Sequence, residues 1–261
     1  MHIAITRAIS PSISRCELTH LARQPIDLDL ARAQHAGYER CLRALGCEVR
    51  RLPAAADLPD CVFVEDCAIV LDEVAVIARP GAESRRAETA AVEAALGPVR
   101  PLARIGPPAT LDGGDVLRVG RTLLVGLSSR TNAQGVGQLH TIAEPLGYSV
   151  VGVEVRGCLH LKSAVTEVAP GTLLVNPDWI PTDAFRAFDR IEVDPREPLA
   201  ANALHLGDAV VYPSAFPRTR QRLEARGIVV HAVDVSELAK AEGAVTCCSL
   251  IVEPRSTDSR R

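Results

Sequence analysis

Several residues able to do chemistry stand far apart in the chain, each beside a short apolar β-type run. They are Glu65 and Asp66, Asp112, His160 and Cys247, with Asn202 at a matching place. A cysteine and a histidine distant in sequence can meet in space as nucleophile and base. A free thiol titrates at about 8.5, so Cys247 needs a nearby positive charge to ionise at neutral pH. The His160 imidazolium or a cationic substrate would supply it. Asp112 is of the right type to orient the imidazole and support its charged form. The acidic pair Glu65–Asp66, aimed into a site, would clamp a planar guanidinium; otherwise it ends a strand in solvent. Plainer readings stand beside these: His160 as a satisfied polar residue at a strand end, and Cys247-Cys248 as a buried strand pair of which only one can face the site.

The elements around these residues repeat. Two β-type runs, a turn rich in Ser, Pro or Arg, a helix and a further β run recur in modules opening at Asp60, Thr110, Cys158 and Ala200. A fifth begins at Ala244 with AVTCCSLIVEP, and its missing pieces sit at the other terminus: HIAITRA, a helix over 27–45, and CEVRRLP. Asp27 can cap that helix, Leu30, Cys41, Leu42 and Leu45 recur near helical spacing, and Gly46 can end it. Helices are also expected up to Leu96, over 133–146, around 184–188 and up to Arg226. The spacing of roughly 40–50 residues is typical of propellers and arrays. Five β-β-α-β units closed into a ring, with helices outside and first strands converging on the axis, would gather the reactive residues at one place. An ordinary α/β fold with chance alternation is the competing architecture.

In LDGGDVL, Gly113 and Gly114 permit a sharp bend and close backbone approach. Arg85-Arg86 and Arg130 precede helices, where cations oppose the helix dipole. That conflict fits the binding of an anion such as a substrate carboxylate, or plain exposure to solvent.

Composition bounds the rest. Of 261 residues, 47% are hydrophobic and only 3% aromatic, so Ala, Val, Leu and Ile must build the core. A formal net charge of −3 argues against a broad nucleic-acid footprint. No apolar run approaches the roughly 18 residues that span a bilayer, and no signal peptide is visible, so a cytoplasmic protein with no membrane partner is expected. Eight cysteines without C-x-x-C spacing read as free thiols in a reducing compartment, with no structural metal site. One domain over 1–254 and a polar, disordered tail over 255–261 are expected.

The motifs DCVFVED (60–66), RPGAESRR (79–86), LDGGDVL (111–117), SRTN (129–132), HLKS (160–163), AAN (200–202) and TCCS (246–249) occur in this order. As an ordered set they resemble the dimethylarginine dimethylaminohydrolases, from about Arg7 to Val252. The resemblance implies a pentein fold, a five-bladed α/β propeller. It also implies roles: Cys247 as nucleophile, His160 as general acid and base, and Asp112 orienting His160. Asp66 and Glu65 would hold the guanidinium, and Arg85 and Arg130 the substrate α-carboxylate. Asp60 and the backbone of Leu18 would hold the α-amino group, Ala241 would contribute its backbone, and the segment between Ser10 and Asp27 would lie near the site as a lid. The implied reaction converts dimethylarginine or monomethylarginine to citrulline through a thiouronium adduct, without metal or organic cofactor, zinc being a conceivable inhibitor at Cys247 and His160.

Two other readings remain. An arginine deiminase or amidinotransferase would share the same chemistry, since discrimination by pocket shape is worth only about 1–3 kcal/mol per methylene. A non-catalytic binding protein can also use this fold. The partner expected is a small molecule; the oligomeric state is open, a homodimer included.

Overall fold

The computed structural model describes residues 1–254; the expected disordered tail lies outside them. Among the described residues fifteen strands form five three-stranded sheets. β1 (Ile3–Arg7) and β2 (Glu48–Leu52) share the first sheet with the last strand, β15 (Leu250–Val252). β3 (Ala68–Val70), β4 (Ala75–Ile77) and β5 (Leu102–Arg104) form the second, and β6 (Val116–Val119), β7 (Thr122–Leu127) and β8 (Ser149–Glu154) the third. β9 (Val165–Ala169), β10 (Thr172–Val175) and β11 (Asp189–Glu192) form the fourth, and β12 (Leu204–Leu206), β13 (Ala209–Pro213) and β14 (Val229–Val233) the fifth.

Every sheet repeats one pattern, the first taken in the order β15, β1, β2: the first two strands pair antiparallel, and the second and third pair parallel. A parallel pair needs a crossover, usually a helix. The crossovers are α1 (Leu28–Ala44), α2 (Thr89–Leu96), α3 (Ala133–Ala143) and α5 (Pro217–Ala225); α4 (Leu161–Ala164) and α6 (Ser236–Ala239) are single turns elsewhere. In the fourth module the crossover is a 3-10 turn at Thr182–Phe185, slightly upstream of the expected helix. The termini close the ring: Ile3 opposes Val252, Ala4 opposes Ile251 and Ile5 opposes Leu250. The five-module α/β architecture is therefore the one expected from the repeats.

Two local expectations change. Asp27 does cap α1, its carboxylate accepting from the amides of Asp29 and Leu30, but Leu30 is exposed. The buried face is Ala31, Gln34, His35, Tyr38, Glu39 and Leu42. Glu39 is fully buried because Thr6, Arg51 and Arg43 satisfy it, which hides a charged residue on a core face. The second change concerns the axis. Asp66, Asp112, His160, Asn202 and Cys247 do not sit on the first strands but in turns just before them. The turns aim side chains inward where five strand ends crowd together, and side chains satisfy their backbone amides: Asp115 accepts from Leu161 N–H and Asn202 from Thr246 N–H.

Aliphatic clusters pack between neighbouring elements, with Tyr38, Tyr212 and Phe185 the largest fully buried side chains. Among the described residues no helix is long and apolar enough to cross a membrane.

Candidate active site

Asp66, His160 and Cys247 line one small cavity with Asp60, Phe63, Arg85, Arg130, Ala241 and Glu242. Three separate modules supply the reactive trio, so only the closed ring assembles it.

His160 stands at the residue before α4 in extended conformation, its side chain making no capping bond to the helix. Its Nε2 lies 3.1 Å from Asp112 Oδ2, and its Nδ1 lies 3.8 Å from Asp66 Oδ1. Asp112 is fully buried behind the imidazole; its Oδ1 accepts from Gly81 N–H at 2.8 Å, and its own N–H donates to Thr131 Oγ1. Burial disfavours the charged ring, but Asp66, the hydrogen bond to Asp112 and the charges of Asp115 and Asp112 outweigh it and lift the His160 pKa to about 9. His160 is thus an imidazolium at neutral pH, with a proton it can donate.

Burial also opposes an ionised Asp66. The charges of His160 and Arg85, the Arg85 hydrogen bond and the Gly114 amide prevail and hold its pKa down at about 2. Arg85 Nη1 donates to Asp66 Oδ2 at 2.7 Å and Gly114 N–H to Oδ1 at 3.0 Å. Gly114 is required here by close approach: a Cβ would lie 2.6 Å from His160 Nδ1 and 2.7 Å from Asp66 Oδ1. At Gly113 a Cβ would lie 1.9 Å from the Glu65 carbonyl oxygen.

Burial, then the charges of Glu65 and Asp66, push the Cys247 thiol up to about 12. Cys247 therefore rests as a neutral thiol, and a cation brought against it would favour the thiolate. Its neighbour Cys248 is fully buried in the core, with Sγ 3.3 Å from the Ala244 carbonyl oxygen.

The two arginines differ. Arg85 is spent inside the protein, on Asp66, the Phe63 carbonyl and a fork with Glu88, whose own pKa burial raises to about 7 despite Arg85. Arg130 Nη2 donates to Thr19 Oγ1, while its buried Nη1 has no hydrogen-bond partner among the described residues and faces Asp112 Oδ2 at 4.0 Å. A buried guanidinium nitrogen with an ion-pair neighbour but no hydrogen bond is open to one from an anionic group. Asp60, its carboxyl raised by burial, accepts from Glu17 N–H at 3.1 Å. Ala241 lines the cavity, and Leu18 lies half-buried against the apolar cluster that holds Ile13, Cys16 and Phe63.

Glu65 stands apart from the cavity. Its carboxylate meets Lys162 Nζ at 2.5 Å and Thr246 Oγ1 at 2.8 Å, beside a second, larger hollow. Asn202 bonds Thr246 and the Lys162 carbonyl, framing the axis instead of facing the cavity. Arg86 lies at the surface with Glu83. Sequence reasoning missed Asp115, fully buried and bonded to Ser128, Thr131 and the Leu161 amide, although it stands in the quoted LDGGDVL run. It also missed Glu88, three residues from its partner Arg85, and Glu242, whose partners only the fold brings near.

A solved structure of dimethylarginine dimethylaminohydrolase from Pseudomonas aeruginosa, a cysteine-to-serine mutant complexed with citrulline, superposes with a TM-score of 0.90 at 34% identity, over 95% of this chain and 98% of that one. Ring and axial thiol chemistry together define the class: a pentein of the guanidine-modifying kind. A family model for arginine deiminase matches residues 54–178. N(G),N(G)-dimethylarginine dimethylaminohydrolase of Streptomyces coelicolor is 44% identical over 255 residues, 95% of each chain. That of P. aeruginosa is 36% identical over 234 residues, covering 89% of this chain and 91% of the relative. The chain belongs to the dimethylarginine dimethylaminohydrolase family.

Proposed function

We propose that this protein hydrolyses Nω,Nω-dimethyl-L-arginine, and the monomethyl form, to L-citrulline and the methylated amine. The observation that carries the reading is the shared cavity of Cys247, His160 and Asp66, with the His160–Asp112 pair behind it. The bound citrulline of the P. aeruginosa relative supports the product.

The substrate guanidinium takes Asp66 as its counter-ion, and its α-carboxylate takes the open Nη1 of Arg130. Arg85 braces Asp66 through its ion pair. Asp60 and backbone at Leu18 and Ala241 face the α-amino end. Arrival of the cation offsets the burial and the carboxylates that hold the Cys247 thiol neutral, and its proton passes to solvent. The thiolate adds to the guanidinium carbon. His160 gives its proton to the dimethylamine nitrogen, the C–N bond breaks, and a thiouronium remains on Cys247. Neutral His160 then takes a proton from water as the oxygen attacks the same carbon. The C–S bond breaks with its electron pair going to sulfur as the Cys247 thiolate, the hydroxyl proton passes to solvent, and neutral citrulline leaves. No step draws on a metal or organic cofactor; zinc would inhibit by capturing Cys247 and His160, both good zinc ligands. Eight unpaired cysteines support a reducing, cytoplasmic setting.

The test is citrulline release from dimethylarginine with free arginine run beside it. Release from the methylated substrate alone is expected. Release from arginine alone would transfer the site to deimination, the activity of the family whose model matches 54–178.

A further inference from the structure

The geometry points to Glu242 as a positioning residue: its carboxylate latches the segment 17–23 as a strap over the catalytic cavity. Three consecutive backbone amides of the strap converge on it. Thr19 N–H donates to Oε2 at 2.9 Å, and His20 and Leu21 N–H donate to Oε1 at 2.5 and 2.6 Å. A carboxylate collecting several N–H groups is among the stronger hydrogen-bonding arrangements.

Beside Glu242, Arg23 ties the strap back to its own upstream end, donating to the Ser14 and Cys16 carbonyl oxygens at 2.6 and 2.7 Å. Side chains 19–25 are all exposed, so no apolar burial closes the segment down. Other tethers fix its ends: Glu17 to Asp60 and Ser84 upstream, Asp27 to Glu237 and the Pro25 carbonyl to Lys240 downstream. Glu242 holds the middle, and what the middle carries matters to the site. Thr19 accepts from Arg130, the arginine with the open nitrogen, and Leu18 is its neighbour. Glu242 itself lines the cavity between Ala241 and Gly243.

The backbone at Glu242 adds a second, independent sign. It is the one non-glycine residue with positive φ among those described, at 58°. Glycine would adopt that conformation without a Cβ penalty. A glutamate there is disfavoured locally, and the carboxylate's place under the strap accounts for it. The same fact supplies a clean variant, because Glu242→Gly removes the carboxylate while relieving the turn.

The inference rests on the reading of the cavity as a substrate site, but its first readout needs no substrate. Hydrogen exchange at the amides of Thr19, His20 and Leu21 is expected to quicken at least tenfold in Glu242→Gly and Glu242→Ala, with exchange in the five sheets unchanged. Glu242→Gln keeps one acceptor oxygen and should fall between wild type and alanine; a space-filling role would leave it equal to wild type. In turnover, KM for dimethylarginine should rise about tenfold in Glu242→Gly, with kcat changed less than threefold. Unchanged strap exchange in a folded Glu242→Gly protein would overturn the latch. So would quickened exchange with an unaltered KM, since the strap would then position nothing. If wild type turned over no methylated arginine, the exchange data would still decide the latch, and the substrate assignment alone would fall.

Discussion

Alanine at position 114 would place a Cβ 2.6 Å from His160 Nδ1, 2.8 Å from His160 Cγ and 2.7 Å from Asp66 Oδ1. Ordinary contact begins at 3.4 Å, so the imidazole and the carboxylate must each give way by most of an ångström. Neither can do so freely. His160 is tied to Asp112 at 3.1 Å, and Asp66 to Arg85 at 2.7 Å. A misplacement of about 1 Å in a reacting group costs on the order of 100-fold in rate, or about 2.7 kcal/mol of transition-state stabilisation. Overpacking of this kind costs roughly 1–3 kcal/mol of stability besides. Gly114→Ala should therefore fold with a lowered melting temperature and lose about 100-fold in kcat. Gly137, in α3 with nothing within 4 Å of a Cβ, is the control. Alanine there should stabilise by up to about 1 kcal/mol through helix propensity and leave kcat alone. The assay is citrulline formation beside thermal melting. A folded Gly114→Ala enzyme with wild-type kcat would refute the claim that this glycine sets the His160–Asp66 geometry.

Cys247→Ser should lose nearly all turnover with the fold intact, and Cys248→Ser should keep it, because only Cys247 reaches the cavity; paired progress curves would show a reversal at once. Asp112→Asn removes a charge and an acceptor that raise the His160 pKa to about 9. The ring should titrate lower by NMR and kcat should fall by roughly 10²–10⁴. An unmoved titration would detach Asp112 from His160. His35 gives a pH effect on stability. Burial lowers its pKa to about 4 against Glu39, below an unfolded value of about 6.5. Its contribution is present above pH 6.5 and lost as pH falls toward 4. His35→Gln should flatten the melting temperature across that window, and an unaltered slope would place the acid sensitivity elsewhere.

The modular repeat was legible because its signals are local: alternating apolar runs, turn residues and helix caps such as Asp27. The ring followed because AVTCCSLIVEP lacked the helix that the N-terminus supplies, and the pairing of β1 with β15 completes it. Residue types also marked most of the site, since thiol, imidazole and carboxylates recurred at equivalent module positions. What sequence could not give was direction and company. Glu65 and Asp66 are adjacent, yet a 3-10 turn sends one to Lys162 and the other to Arg85. Arg85 and Arg130 look alike in their motifs, yet Glu88, three residues after the first, occupies one of them. Gly113 and Gly114 read as a bend and a close backbone approach; neither has positive φ, and the close approach is what the structure uses. Glu242 gave no signal, its partners lying more than 200 residues away.

The central claim is covalent attack by Cys247 on a methylated guanidinium. The direct measurement is the mass of acid-quenched enzyme during turnover of dimethylarginine, with the modified peptide sequenced. The expected result is a transient species carrying the substrate less one dimethylamine, located on Cys247, and failing to accumulate in His160→Gly, which lacks the acid for departure of the amine. Steady citrulline release with unmodified Cys247 at every quench time, or an adduct on another residue, would contradict it.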